Sequence, residues 1–196
     1  MNFTLLYDWS GTVGPARQQH KCGSCFSFAI SGLCEHAHYT RHGRVVQYSA
    51  DELVDCFPHG RCGATPDKIL ERMRRRGCVL ESRYAGQAGC FVRQGLRVRN
   101  VEAYDDLSGK DVEPRIDLSK GPWVVGIPSR GLRQMTGVVA SVSGEADHAV
   151  LLTGEAERDG KRYWVARNSW GQKFGLSGYF LLEKGTIHYA CRADFL

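Results

Sequence analysis

The stretch from Gln19 to Ala29, which reads Gln-His-Lys-Cys-Gly-Ser-Cys-Phe-Ser-Phe-Ala, constrains this chain more than any other. A glycine and a serine separate its two cysteines and suit a tight turn. Apolar residues then follow with helical spacing, at Phe26, Phe28, Ala29, Ile30 and Leu33. Cys25 should therefore lie where a turn enters a helix, and there unpaired N–H groups and the helix dipole favour a thiolate. The stretch predicts a nucleophilic cysteine that needs a base from elsewhere in the chain.

Composition excludes several classes of protein. The 196 residues suit one domain, or one domain of two lobes, and 42% hydrophobic with 24% charged residues is ordinary for a globular protein. The chain contains no run of about 18 apolar residues, which excludes a membrane-spanning helix. The N-terminus lacks a basic start and a long apolar stretch, so it does not read as a signal peptide. We expect either a processed mature fragment or a chain made without a leader.

The charge pattern argues against nucleic-acid binding, and the cysteine count requires free thiols. The net charge of +5 is mild, and its densest part, Arg72 with Arg74–Arg76, lacks the interleaved aromatic residues of a nucleic-acid module. A solvated helix face is the simplest interpretation, and an acidic partner is the alternative. If one of the eight cysteines is a nucleophile, seven remain, so at least one more must be a free thiol.

Periodicity divides the chain into a helix-rich and a strand-rich half. Helices are predicted over about 25–41, 52–56 and 67–76, with Gly43 and Gly77 as stops and Ser49 and Glu52 as a capping box. After a composition change near 105–109, short β-branched and aromatic runs predict strands. These runs lie around 98–101, 124–127, 138–142, 149–152, 163–166 and 179–182. Two lobes packed face to face would draw a nucleophile from one half and a base from the other.

His148 is the best candidate for that base. It begins an apolar strand in Asp147-His148-Ala149-Val150, whereas most of the other histidines lie on or at the end of the first predicted helix or in a loop. A purely structural histidine remains the alternative. Asn168 follows the strand around 163–166, and antiparallel pairing of the two strands would bring its carbonyl to the imidazole.

Three blocks together resemble the papain family of cysteine proteases. They are Gln19 with Cys22-Gly23-Ser24-Cys25, then Asp147-His148-Ala149-Val150, then Asn168-Ser169-Trp170-Gly171. The resemblance runs from about Asp8 to Cys191. It implies an α+β fold of two lobes over residues 1–196, with the active site in the cleft between them. The helical lobe would cover about 10–105, and a β-barrel-like lobe about 106–196 plus the N-terminal strand.

The resemblance also implies roles for individual residues. Cys25 would be the nucleophile in an ion pair with His148, and Asn168 would orient His148. Gln19 and the backbone N–H of Cys25 would form the oxyanion hole. Substrate would meet six further positions: Gly23, Ala64, Thr65, Ala146, Asp147 and Trp170. Leu196 would line the pocket for the second substrate residue together with Ala146.

For the cysteines, the resemblance implies bridges between Cys22 and Cys62 and between Cys56 and Cys90. Each would close a loop of about 35 to 40 residues and add roughly 3–4 kcal/mol. Cys191 matches a third family bridge but has no cysteine partner in the segment before Asp147. Cys34 and Cys78 are interpreted as small buried apolar residues, although one unexpected bridge is the alternative.

Several positions depart from the family pattern. Phe26 follows the nucleophile in place of tryptophan, and residues 63–66, Gly-Ala-Thr-Pro, lack the paired glycines that admit substrate backbone. In residues 59–62 and 79–82 the chain resembles the mite-allergen branch. The Cβ atoms in the groove are expected to narrow it.

The function implied is a cysteine endopeptidase that acts through an acyl-enzyme, without cofactor or metal. Peptide or protein substrates, and a propeptide or cystatin-like inhibitors, are the expected partners of a monomer in a lysosomal, vacuolar or secreted setting. Neither nucleic acid nor membrane insertion is expected. A papain-like subunit kept only for binding is the alternative. A transglutaminase-like enzyme would favour aspartate at Asn168 and would not explain Cys22, Cys56, Cys62 and Cys90.

Overall fold

A computed structural model of the chain describes residues 3–20, 23–56, 65–84, 95–106 and 111–196. Within these ranges the helices are α1 (Cys25–His42), α2 (Ala50–Cys56), α3 (Pro66–Arg76) and α4 (Glu81–Tyr84). The strands are β1 (Thr4–Asp8), β2 (Val98–Asp105), β3 (Trp123–Ile127), β4 (Val139–Ala140), β5 (His148–Arg158), β6 (Lys161–Arg167), β7 (Tyr179–Glu183) and β8 (Tyr189–Phe195). None of the described helices is long and apolar enough to cross a bilayer.

Glycines in the left-handed region of φ lie near both ends of α1. Gly23 has a φ of 76°, in the left-handed region, and two residues later Cys25 opens α1. At the other end Gly43 has a φ of 66° and donates its N–H to Tyr39 O at 2.8 Å. The predicted bounds of α1 are confirmed to within one residue.

The capping box at α2 forms in one half only. The Glu52 N–H donates to Ser49 Oγ at 3.2 Å, as the box requires. The Glu52 carboxylate does not return to Ser49, because it accepts the Val79 N–H at 2.8 Å instead. Helix α2 is thus tied to the segment that follows α3, and it begins two residues earlier than predicted. Helix α3 was predicted to within one residue, since it begins at Pro66 and ends before Gly77.

The eight strands form one sheet in the order β2-β8-β3-β5-β6-β7-β4, and β1 pairs with β5. All described pairings are antiparallel except β4 with β7. The two ends of this order, β2 and β4, do not pair with each other among the described strands, so the sheet is open. The barrel-like expectation needs this correction, because closure requires the two edge strands to hydrogen-bond. Strand β8 was not predicted, and β2 joins the sheet through it.

Helix α1 covers one face of the sheet. Side chains alternate along the strands, so Val124 and Leu151 pack with α1 residues such as Ile30 and Leu33 in one core cluster. Their neighbours in the strands face the other way into a second core, which contains Trp123, Val125, Val150, Leu152, Trp164 and Ala166. The site residues lie at the edge of the first core, where α1 begins and β5 begins.

Candidate active site

Cys25 is the first residue of α1, and its side chain is nearly enclosed at 8% exposure. Its sulfur accepts a hydrogen bond from the Ala149 N–H, the second residue of β5, at 3.3 Å. This contact holds the thiol against the strand that begins with His148. The start of α1 and the start of β5 therefore meet at Cys25.

The imidazole of His148 has a defined tautomer. Its Nε2 lies 2.8 Å from Asn168 Oδ1, and the same oxygen accepts the backbone N–H of Ser169 at 2.8 Å. Because a backbone N–H only donates, the atom it contacts must be the amide oxygen, and His148 Nε2 must carry a proton. Nδ1 is then the ring nitrogen that can take a proton from a nearby thiol. Trp170 packs against the ring, with centroids 4.9 Å apart.

Sheet geometry explains why His148 and Asn168 meet. Strands β5 and β6 are antiparallel, with Leu151 opposite Arg167. The start of β5 and the residue after β6 therefore lie at the same end of the sheet. The predicted juxtaposition of His148 and Asn168 is present in the structure.

Burial acts on both members of the expected Cys–His pair. Burial raises the pKa of the Cys25 thiol above its ordinary value. Hydrogen bonds from backbone N–H groups, chiefly that of Ala149, lower the pKa but do not offset the effect of burial. Burial also lowers the pKa of His148, against the Asn168 hydrogen bond and the Asp147 charge, which raise it. Each group alone is thus biased towards its neutral form, because enclosure penalises charge. A thiolate here depends on its mutual attraction with the imidazolium.

Gln19 is held against the segment that follows Asn168, because residues 17–19 run along residues 169–171. The Gln19 N–H donates to Ser169 O at 2.7 Å, and the Gly171 N–H donates to Arg17 O at 3.1 Å. The Gln19 side chain is oriented as well, since its Oε1 accepts from Ser169 Oγ at 2.5 Å. Ser169 thus contacts both Asn168 and Gln19, and sequence reasoning did not assign it a role.

A buried ion network joins the three segments that carry the site. Glu35, fully buried on α1, accepts from Arg167 Nη1 at 2.9 Å and from Arg17 Nη2 at 3.1 Å. Its Oε2 also accepts the Gly14 N–H at 3.0 Å. Arg167 directly precedes Asn168, and Arg17 lies two residues before Gln19. The carboxylate therefore fixes the helix of Cys25 relative to the segments that carry Gln19 and Asn168.

Glycine at position 32 makes room for this network. A Cβ there would lie 2.4 Å from Arg167 Nη2 and 2.5 Å from Leu151 Cδ2. The guanidinium of Arg167 thus crosses α1 where the helix has no side chain. This requirement does not show in the sequence pattern, because an isolated glycine in a helix has several interpretations.

The cleft beside Cys25 has a volume of about 820 Å³. Of the predicted substrate residues, it is lined by Gly23, Thr65, Ala146 and Asp147 together with Cys25 and His148. Trp170, which packs on the His148 ring, lines a separate depression instead. Ala64 falls outside the described residues. Asp147 is held in place, since its carboxylate accepts from Ser129 N at 2.6 Å and Ser129 Oγ at 2.9 Å.

Tyr189 takes the place in the cleft that was expected for Leu196. Its hydroxyl donates to Asp67 Oδ1 at 3.1 Å and accepts the Asp67 N–H at 2.9 Å, so it bridges β8 and α3 across the cleft. Leu196 is 63% exposed and follows β8 at its far end. The expectation for Leu196 is wrong because an extended strand of this length puts its two ends about 20 Å apart.

The cysteines are described only in part. Cys22, Cys62 and Cys90 lie outside the described residues, so the two bridges that include them remain predictions. Cys34, Cys78 and Cys191 are free and fully buried. Burial raises the pKa of Cys191 to about 12, which makes it a poor nucleophile. In the described ranges no three His, Cys, Asp or Glu side chains are grouped to hold a metal ion.

Comparison with known proteins points to the family that the three sequence blocks resemble. The family model described as papain family cysteine protease matches residues 5–194. Cathepsin O of Mus musculus is 30% identical over 201 residues, which cover 94% of this chain and 64% of that protein. Cysteine proteinase 1 of Zea mays is 29% identical over 218 residues, covering 96% of this chain and 58% of that protein. The chain thus spans less than two thirds of these relatives.

Solved structures agree on the fold. Procathepsin L 3 from the larval midgut of Tenebrio molitor superposes with a TM-score of 0.81 at 23% identity, covering 96% of this chain and 69% of that one. A structure concerning the mite allergens Blo t 1 and Der p 1 gives a TM-score of 0.80 at 27% identity, covering 96% of this chain and 70% of that one. The papain-like α+β fold that the motifs predicted is confirmed.

Proposed function

Because the chain belongs to the papain family of cysteine proteases, we propose that it is an endopeptidase that hydrolyses peptide bonds through a covalent acyl-enzyme. The observation that carries the proposal is the hydrogen bond from His148 Nε2 to Asn168 Oδ1 at 2.8 Å. It holds the imidazole in the tautomer whose Nδ1 accepts a proton, within the cleft that also contains Cys25.

The reaction begins with proton transfer from Cys25 Sγ to His148 Nδ1. The thiolate attacks the substrate carbonyl carbon, and the carbonyl oxygen becomes an oxyanion. The side-chain amide of Gln19 and the Cys25 N–H stabilise that charge, and the loss of one such donor costs about a hundredfold or more in rate. His148 then donates its Nδ1 proton to the leaving amine as the C–N bond breaks.

A water molecule completes the cycle. His148 removes a proton from it, and the resulting hydroxide attacks the thioester carbonyl. The C–S bond breaks, and the thiolate with its imidazolium partner is restored. Enclosure of both side chains strengthens their mutual attraction and keeps other nucleophiles from the thioester.

Regulation and setting are proposed from the relatives. Several carry names that indicate precursors, including pro-cathepsin H of Bos taurus and the proform of a ragweed pollen protease. We propose control by an inhibitory propeptide, inhibition by cystatin-like proteins, and action as a monomer in a lysosomal, vacuolar or secreted setting. The single domain would consist of the two lobes expected from the sequence.

The test is cleavage of a fluorogenic peptide library by the purified protein and by variants. We expect Cys25→Ala and His148→Ala each to lower kcat/KM by at least about a hundredfold. His188→Ala is the matched control, because His188 also lines the cleft and has no role in proton transfer. Cleavage that survives in Cys25→Ala would contradict the proposal.

One observation favours a second candidate, a papain-like subunit that binds peptides without cleaving them. The hydrogen bond that the structure gives the Cys25 sulfur comes from the Ala149 N–H and not from His148. A neutral thiol held in this way would bind peptide but react slowly. Peptide binding to the wild-type protein without cleavage would select this candidate.

A further inference from the structure

A second depression, separate from the main cleft, is lined by the tryptophan that packs on His148. Its volume is about 610 Å³, and one of its lining residues is Trp170. Its other lining residues include Leu132, Arg133, Met135, Lys173 and Phe174. Trp170 and Phe174 meet edge to face at 5.3 Å, so the depression has an aromatic floor.

Two cations border this floor. The Arg133 guanidinium lies over the Trp170 ring, 5.3 Å from its centroid, and Lys173 is exposed beside it. Neither has a carboxylate partner among the residues that the structure describes. The main cleft has the opposite charge character, because its lining includes the carboxylates of Asp105, Glu145 and Asp147. Two histidines also line it, but no Lys or Arg does so among the residues that the structure describes.

The turn that carries Arg133 is anchored. Leu132 is 1% exposed in the second core, so the residue next to Arg133 cannot leave the protein without losing that burial. Gly131 lets the turn approach residue 141, because a Cβ there would lie 2.1 Å from the Ser141 carbonyl oxygen. Arg133 also acts on the site, since its charge adds to burial in lowering the pKa of His148.

The proposed reaction determines where each half of the substrate lies in the cleft. His148 must donate a proton to the leaving amine, so the leaving half of the substrate passes over the imidazole. Trp170 packs on the imidazole and also lines the depression that contains the two cations. The acyl half stays beside Cys25 in the main cleft. This step rests on the proposed function.

We infer that the depression formed by Trp170, Arg133 and Lys173 is a subsite for a carboxylate on the leaving half of the substrate. The carboxylate would belong either to an Asp or Glu side chain shortly after the scissile bond or to the C-terminus of the substrate. Arg133 is pre-oriented for it, because its planar guanidinium already lies on an aromatic face and presents N–H donors at its edge.

Matched peptides separate the two sources of the carboxylate. One pair carries Glu or Gln at the second position after a cleaved bond. Another pair ends at that position, with a free carboxylate or an amide. For an exposed ion pair we expect a preference in kcat/KM of about two- to fivefold for the charged member of at least one pair. The preference should shrink at 0.5 M salt, since screening acts on exposed charges.

Variants assign the preference to the subsite. In Arg133→Met the charged-to-neutral ratio should fall to about one, and in Lys173→Met it should fall in part. Arg162→Met is the matched control, because Arg162 is exposed at the opposite end of β6 from Asn168 and should keep the wild-type ratio. A ratio of one in the wild-type protein, or a ratio that survives in Arg133→Met, would overturn the inference.

A binding measurement keeps this test separate from the proposed function. Dye-labelled forms of the same peptides are titrated against Cys25→Ala protein by fluorescence anisotropy, where no cleavage is needed. The charged peptide should bind about two- to fivefold more tightly, and Arg133→Met should remove the difference. Cleavage without charge preference overturns the subsite alone. Absence of Cys25-dependent cleavage overturns the proposed function, and the ratio of binding constants still decides for or against the subsite.

Discussion

Replacing Glu35 by glutamine tests the buried network that joins the site segments. The carboxylate is fully buried and accepts from Arg167 at 2.9 Å, from Arg17 at 3.1 Å and from the Gly14 N–H at 3.0 Å. A glutamine has one acceptor oxygen and would turn its NH₂ group towards one of these donors. Arg167, only 5% exposed, would then be a buried cation without a counter-charge.

The size of the effect follows from this burial. Removing one partner of a buried ion pair costs about 3–5 kcal/mol. For a chain of this length, 1 kcal/mol shifts Tm by about 2–4 °C. We therefore expect Glu35→Gln to lower Tm by roughly 6–20 °C in thermal unfolding followed by circular dichroism.

Glu71→Gln is the matched control. Glu71 pairs with Arg74 at 2.8 Å on α3, but both side chains are about half exposed. Such a pair contributes less than about 1 kcal/mol, so its loss should change Tm by about 4 °C or less. Equal shifts in the two variants would refute the argument that burial of the Glu35 network stabilises the site.

Three further predictions follow from single contacts. Gly32→Ala should lower Tm because its Cβ would meet Arg167, whereas Gly11→Ala should not, since nothing lies within 4 Å there. Burial, and to a lesser extent the positive charge of Arg192, lowers the pKa of His36 from 6.5 to about 4. Below about pH 6.5 the unfolded chain thus binds a proton that the folded chain does not, and stability in urea unfolding should fall as pH drops towards 4. His36→Gln should reduce that fall, and an unchanged slope would contradict it. Asn168→Ala should lower kcat/KM by up to about 100-fold in peptide cleavage by the folded protein; a loss below threefold would argue against its orienting role.

Local patterns predicted the parts of the fold that depend on local chemistry. Helical spacing after Cys25 and the glycine at position 43 gave α1 its bounds, because turn and cap geometry are properties of a few neighbouring residues. The meeting of His148 and Asn168 was also predictable, because antiparallel pairing of neighbouring strands puts the start of one strand beside the end of the next.

Non-local pairing accounts for what the sequence did not predict. Strand β8, Tyr189–Phe195, contains no β-branched residue and forms through its hydrogen bonds to β2 and β3. Without β8, nothing placed Tyr189 in the cleft or moved Leu196 away from it. Ser169 and Glu35 were missed for a similar reason, because their partners lie 150 and 132 positions away in the chain.

The pH dependence of Cys25 alkylation tests the central claim most directly. Wild-type protein and His148→Ala protein are treated with iodoacetamide from about pH 5 to pH 9, and modification of Cys25 is followed by peptide mass mapping. If His148 holds the thiolate as an ion pair, wild-type protein should react well below the ordinary cysteine pKa of about 8.5, and His148→Ala should lose that reactivity at least about tenfold near pH 6. The same pH profile in both proteins would contradict the claim that these two residues form the reactive pair.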